Sequence, residues 1–413
     1  MLLLHAHSRQ SEVAGSLSEN SSGGPELSVL TETFLMKRYR VVKVDQLLLN
    51  FAILLACGCA VHLDPLCNVS IGSTHVSLAK NSDCMLPGLV TFPDGNLLAA
   101  EECDGAVMTQ MSADNGMTWK PNTPMFFQPL ASTVALSMLP SGKLFLSTSE
   151  SSSVGVPAYA IGTIGPGDII AWGAPVTIKT PGWTAGCWAV SPLVSAANGN
   201  LLWPVWCYNN KTRGLPGTST VLVSADGGVT WPKQVVVGDS NADGRDYDES
   251  AGAAYPNGDI VMIIRHTPNA KEEPRGSWWR SKSTDEGLTW SSPVKVADFF
   301  IAGRPTLALL PSGGLLLLGR AMIGNKSTTG FGTSWDEGLN FSLFANLEAD
   351  SKTEQFDEYD AISLLSNGTI GVVTSHNDHG DGNFRAGTYN VDYRNLIDNC
   401  PVAPPPSKQS HIR

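Results

Sequence analysis

From Leu89 onward, short apolar runs alternate with polar turns, and nowhere does the spacing of an amphipathic helix persist. The runs are of strand length and are bounded by Gly, Pro, Asn and Asp, which predicts β-strands joined by tight turns. One such unit reads Leu89-Val-Thr-Phe-Pro-Asp-Gly95-Asn-Leu-Leu, and another Leu136-Ser-Met-Leu-Pro-Ser-Gly142-Lys-Leu-Phe. The pattern returns around Gly199, Gly258, Gly313 and Gly368, each Gly following Asn or Ser and preceding an apolar pair or run. Asn-Gly and Asp-Gly between apolar runs are strong hairpin signals, because such turns need a residue at positive φ. Six copies, 47 to 59 residues apart, predict six repeat units.

A second element follows the hairpin in four of the six units. It reads Ser112-Ala-Asp114-Asn-Gly116-Met-Thr-Trp119, Ser224-Ala-Asp226-Gly-Gly228-Val-Thr-Trp231, Ser283-Thr-Asp285-Glu-Gly287-Leu-Thr-Trp290 and, more loosely, Ser334-Trp-Asp336-Glu-Gly338-Leu-Asn-Phe341. Asp is expected to bond the amides of its own turn, Gly to take the left-handed position, and the aromatic residue to pack beneath.

Charge narrows the partner class. The formal net charge is −11, with 27 Lys and Arg against 38 Asp and Glu in 413 residues, which argues against a nucleic-acid partner. An acidic chain rich in Gly and Trp fits a glycan better. Residues 1–35 are Ser- and Glu-rich and read as a disordered extension. From Met36 a basic stretch precedes an apolar run, Leu47 to Val61, too short to span a bilayer and holding the small residues Gly58 and Ala60 where a signal peptidase could cut. Residues 36–60 are therefore expected to be a signal peptide, residues 61–400 the folded body, and residues 401–413 a Pro-rich disordered tail. The expectation is a secreted protein with no membrane association after cleavage, and a monomer.

Of eight cysteines, Cys57 and Cys59 fall in the signal run. The remaining six suggest disulfides, with Cys67–Cys400 and Cys187–Cys207 the favoured pairs. Five Asn-x-Ser/Thr sequons offer glycosylation sites. No cofactor and no metal is expected. Asp239-x-Asn241-x-Asp243-Gly244 matches the start of a calcium loop, but its twelfth position is Ser250 rather than Glu.

Ser-x-Asp-x-Gly-x-Thr-Trp resembles the Asp box of the sialidase (neuraminidase) superfamily, and the similarity spans roughly residues 80–398. The resemblance implies an all-β fold, a six-bladed β-propeller with Asp-box hairpins, and units of about 55 residues fit four-stranded blades. It also implies a site where inner strands converge. Glu249, 16 residues before Arg265, resembles the segment bearing the family's catalytic Glu and a substrate-binding Arg. Tyr359, nine residues before Gly368, looks like the nucleophilic Tyr, and Asp104 occupies the loop where the family keeps its acid. Met85-Leu86-Pro87 stands where the family has Arg-Ile-Pro, and Gly332 where its third Arg precedes an Asp-box Ser. Arg304 and Arg320 are candidates to complete a substrate clamp. The implied activity is exo-acting glycoside hydrolysis that releases a terminal, acidic sugar through a Tyr/Glu pair, with a glycan or glycoconjugate as substrate. The alternative is a propeller that binds glycan or protein without catalysis.

Overall fold

The computed structural model describes residues 76–77, 84–103, 106–121, 131–150, 155–189, 191–208, 216–267, 276–296, 303–323, 326–346, 359–365, 368–377 and 384–391. All of them belong to one compact unit, Pro65–Arg413. The expected extension, signal segment and tail, the pair Cys67–Cys400 and Asp104 lie outside the described residues. No described helix is long and apolar enough to cross a membrane.

The described strands pair into six antiparallel sheets. The first holds Cys84–Thr91, Leu97–Cys103, Ala106–Ser112 and Lys120–Pro121. The second holds Ala131–Met138, Leu144–Glu150 and Val156–Ile164, with Ile170–Trp172 and Val176–Thr177 on the last of these. In the third, Leu201–Tyr208 carries Gly186–Ala189 and Val194–Ser195 on one side, then Thr218–Ser224 and Lys233–Gly238 on the other. The fourth runs Tyr247–Ala254, Ile260–His266, Ser277–Ser283 and Val294–Lys295. The fifth runs Thr306–Leu309, Leu315–Ile323, Lys326–Ser334 and Ser342–Asn346. The sixth runs Tyr359–Leu364, Ile370–Asn377 and Phe384–Val391, and its outer strand is Val76–Ser77, from the opposite end of the chain.

Each sheet's first two long strands are joined by the glycine turn, and the six turns are alike in detail. In the first, the Phe92 amide donates to Asn96 O at 2.8 Å and the Gly95 amide to Phe92 O at 2.9 Å. Gly142, Gly199, Gly258, Gly313 and Gly368 repeat that pair of bonds, and all six glycines have φ between 77° and 92°. A side chain at such φ is strained, which is why the glycines recur.

The Ser-x-Asp-x-Gly segments form a second kind of turn, between the third and fourth strands. Asp226 accepts from the Thr230 amide at 2.8 Å, the Thr230 hydroxyl at 2.6 Å and the Ser224 hydroxyl at 2.7 Å, while Ser224 Oγ accepts from the Gly228 amide at 2.9 Å. Asp114, Asp285 and Asp336 make the corresponding bonds, Asn340 replacing Thr in the last. These bonds favour the carboxylate form, so Asp226 is held down at about pKa 2. Trp119 and Trp290 fold back to donate to Gly116 O and Gly287 O. Trp231 and Phe341 are buried in the seams between sheets.

Alternation along each strand sends apolar residues to both faces, so consecutive sheets pack face to face. Val90 and Leu98 of the first sheet meet Leu136 and Leu146 of the second. Phe145 meets Trp203, Leu202 meets Met262, and Val261 meets Leu315 in the next three seams. The fifth and sixth sheets are tied by the Arg304 guanidinium and the Thr306 hydroxyl, both donating to Asp360 O, at 2.7 and 2.8 Å. Ala361 and Val373 of the sixth then pack on Leu97 and Ala99 of the first, which closes the ring. Cys187 and Cys207, opposite each other in the third sheet, are joined as a disulfide.

Candidate functional site

A cavity of about 100 Å³ lies where the inner strands converge. Every sheet lines it, through Pro87, Ala135, Ser191, Gly252, Arg304 and Asp360 in order. Because the strands are antiparallel, each first strand begins, and each second strand ends, at the same edge of its sheet. At that edge the polar side chains gather, opposite the glycine turns.

The fourth sheet supplies the best-defined group. Tyr247 stands opposite His266 and Ser250 opposite Ile264, so Asp248 and Glu249 together face the single residue Arg265. This is a β-bulge, which re-aims side chains near a strand end. Arg265 Nη1 donates to Glu249 Oε2 at 2.5 Å, and Arg265 Nε lies 3.7 Å from Asp248 Oδ1. Asp248 also accepts from the Glu249 amide and the Thr267 hydroxyl, each at 2.6 Å. Both carboxylates are nearly inaccessible, at 7% and 6% exposure. Burial pushes the Asp248 carboxyl well up, the charge of Glu249 adding to it and that of Arg265 opposing it. Burial likewise raises Asp246, against the opposing pull of the Gly217 amide, which donates to its Oδ1 at 2.6 Å.

Aromatic side chains of the third sheet stand beside this group. Trp188 and Trp206 are opposite each other across the strands and stack with centroids 5.0 Å apart. Tyr208 meets both edge-on, at 5.7 and 5.0 Å. All three are half-buried. Burial raises the Tyr208 phenol, and the charges of Asp246, Asp248 and Glu249 raise it further, which places these groups within electrostatic reach of one another. None of the three aromatics, nor Asp246 or Asp248, was singled out from sequence. The signal available was the Trp-Cys spacing shared by Cys187-Trp188 and Trp206-Cys207.

The same bulge recurs in two other sheets. In the first, Leu86 and Pro87 face Glu101, and in the second Ser132 and Thr133 face Ser149. Glu101 therefore occupies the register position that Arg265 has in the fourth sheet. It is buried at 2% exposure, and its Oε2 has no hydrogen-bond partner among the described residues. Desolvation raises its carboxyl to about 7.

The other sequence candidates are placed as follows. Tyr359 opens the first strand of the sixth sheet, pairs with Ser375 and directly precedes the cavity-lining Asp360; only its backbone is described. Glu249 stands two residues before Ala251, which lines the same cavity. Arg304 lines it too, but its guanidinium donates to Pro87 O at 3.1 Å and to Asp360 O. Arg320 packs against Gly303. In the segment resembling a calcium loop, Asp239 caps the short helix Ser240–Asp243, and Asp243 accepts from Arg245 at 2.9 Å and Tyr247 at 2.7 Å.

No family model matches the chain, and no curated protein matches it in sequence. Solved structures do match. A Dyadobacter fermentans protein of unknown function superposes with TM-score 0.63 at 15% identity, over 78% of this chain and 98% of that one. An α-L-arabinofuranosidase of Fusarium graminearum gives 0.61 at 13%, over 79% and 99%. A Trypanosoma rangeli sialidase gives 0.57 at 14%, over 79% of this chain and 59% of the sialidase. The fold is a β-propeller. Among the propellers it resembles are glycoside hydrolases of both sialidase and arabinofuranosidase type.

Proposed function

We propose that this chain is a six-bladed, sialidase-like propeller that hydrolyses a terminal glycosidic bond at the mouth of the axial cavity. Each sheet is one blade, and the four Ser-x-Asp-x-Gly turns are its Asp boxes. The observation that carries the reading is the buried Glu249 carboxylate, oriented by Arg265 on an inner strand that lines the same cavity as the strand opened by Tyr359. The arabinofuranosidase and sialidase neighbours both cleave glycosidic bonds on this fold, which supports the class of reaction.

In the proposed mechanism Glu249 takes the phenolic proton of Tyr359 as the oxygen attacks the anomeric carbon. The bond from that carbon to the leaving oxygen breaks, and Asp104 gives the leaving oxygen a proton. Water then attacks the glycosyl–tyrosine bond, gives its proton to Asp104 and releases the sugar, while Glu249 returns its proton to Tyr359. Sialidases use Tyr in place of the usual second carboxylate. We further propose export, with cleavage close to Val61; the intact mass of secreted material reads the mature N-terminus.

The test is turnover of a panel of aryl glycosides by the full-length protein, with Glu249→Gln as control. Release of the aryl alcohol by the parent, reduced at least about a hundredfold in the variant, supports the reading. Sugar binding with no turnover on any member would instead leave a glycan-binding propeller.

A further inference from the structure

We infer that the sugar held at this site is uncharged, and that the Trp188–Trp206–Tyr208 group is the platform on which its ring rests. This rests on the glycoside-hydrolase reading above and specifies its substrate class, departing from the acidic sugar that the sequence resemblance implies.

The first ground is the arginines. Recognition of a sugar carboxylate needs a guanidinium whose paired N–H bonds point at the ligand. Arg265 is directed onto Glu249 and Asp248, two carboxylates already buried beside it. Arg304 is buried, and its terminal nitrogen is engaged by two backbone carbonyls, one from the first sheet and one from the sixth. Arg320 also has a partner. Met85, where the resemblance implies an arginine, pairs with Glu102 in the first sheet. Arg265, Arg304 and Arg320 thus each already have partners within the protein.

The second ground is the local charge. Asp246, Asp248 and Glu249 stand around one guanidinium, with His266 the further group able to add a positive charge. Arg265 is already shared among these carboxylates, so its charge is engaged before any ligand arrives. The phenol nucleophile proposed for Tyr359 imposes no charge on the sugar.

The third ground is the aromatic group. Trp188, Trp206 and Tyr208 are half-buried and packed on one another, with Tyr208 within electrostatic reach of the acidic residues. The negative face of an aromatic ring attracts the polarised C–H bonds of a sugar, without needing a charged partner. Pockets that take small ligands commonly combine such surfaces with few polar groups. Glycine backbone supports the platform from below: a Cβ at Gly155 would fall 2.4 Å from the Trp188 ring.

The experiment is a fluorescence titration of the full-length protein with neutral disaccharides (arabinobiose, galactobiose, xylobiose) and with anionic ones (sialyllactose, digalacturonate). The expected result is saturable quenching by at least one neutral sugar, unchanged when salt is raised, with the anionic sugars at least tenfold weaker. Trp206→Ala should weaken the neutral sugar about tenfold, while Trp206→Phe, which keeps a ring, should bind within about threefold of the parent. Equal or tighter binding of an anionic sugar overturns the inference, as does the absence of binding by every sugar. Should Trp206→Ala fail to fold, the neutral-against-anionic comparison on the parent still decides. Aryl-glycoside turnover measured on the same samples reports on the hydrolase reading separately: binding of neutral sugar without turnover removes catalysis but leaves the sugar class standing.

Discussion

Arg265 and Glu249 meet at 2.5 Å only because one extra residue is inserted in the strand that carries Glu249. Without the bulge, Asp248 and Glu249 would alternate to opposite faces of the fourth sheet, and one of them would lose the guanidinium. Removing the cation leaves two buried carboxylates uncompensated, a situation that costs far more than a surface pair. We expect Arg265→Met to lower stability by about 3 kcal/mol, measured by chemical denaturation. The double variant Arg265→Met/Glu249→Gln should recover part of that loss, giving a coupling of about 1–2 kcal/mol. Additive effects of the two changes would mean that the pair is not coupled in solution.

Asp226 tests the turn chemistry. Its pKa is held down to about 2 by bonds from Thr230 and Ser224, so the stabilisation is present above the ordinary value of 3.8 and is lost as pH falls toward 2. Asp226→Asn should therefore lower Tm by a constant amount between pH 5 and 8, and the difference should shrink below pH 4. A difference that does not change with pH would show that the charge of the carboxylate contributes nothing.

Glu101 behaves in the opposite sense. Its carboxyl is raised from 4.5 to about 7, so the folded state favours the protonated form. The cost of ionising it is absent below about pH 4.5, grows as pH rises, and is complete above 7, reaching at most about 3 kcal/mol. Glu101→Gln should thus gain stability relative to the parent at pH 8 and gain little at pH 4.5. Denaturation curves at the two pH values read this directly, and an equal effect at both would contradict it.

Much of the scaffold was legible in the sequence because its turns are chemically demanding. A glycine at positive φ, or an Asp that collects its own turn's amides, leaves a local signature that needs no tertiary knowledge. Six glycine turns and four Asp turns thus mark the repeat units, and Cys187 does join Cys207. Glu249 and Arg265, picked out by their spacing, do meet in the structure. The bulge that recruits Asp248 is a matter of register, and register depends on which face is buried. The engagement of Arg304 by Pro87 O and Asp360 O is equally invisible in one dimension, since it joins residues 217 and 56 positions apart. The aromatic group was missed because Trp188 and Trp206 read as ordinary core residues until the strands are paired.

We propose that the Tyr359 oxygen forms a covalent bond to the sugar, with Glu249 taking its proton. It is tested most directly by trapping. The full-length protein is incubated with fluorinated glycosyl fluorides matched to whichever aryl glycoside it turns over best, then digested and sequenced by mass spectrometry. The account predicts a glycosyl adduct on the peptide containing Tyr359, localised to the tyrosine and absent in Tyr359→Phe. An adduct on a carboxylate, or steady turnover with no adduct at all, would contradict it.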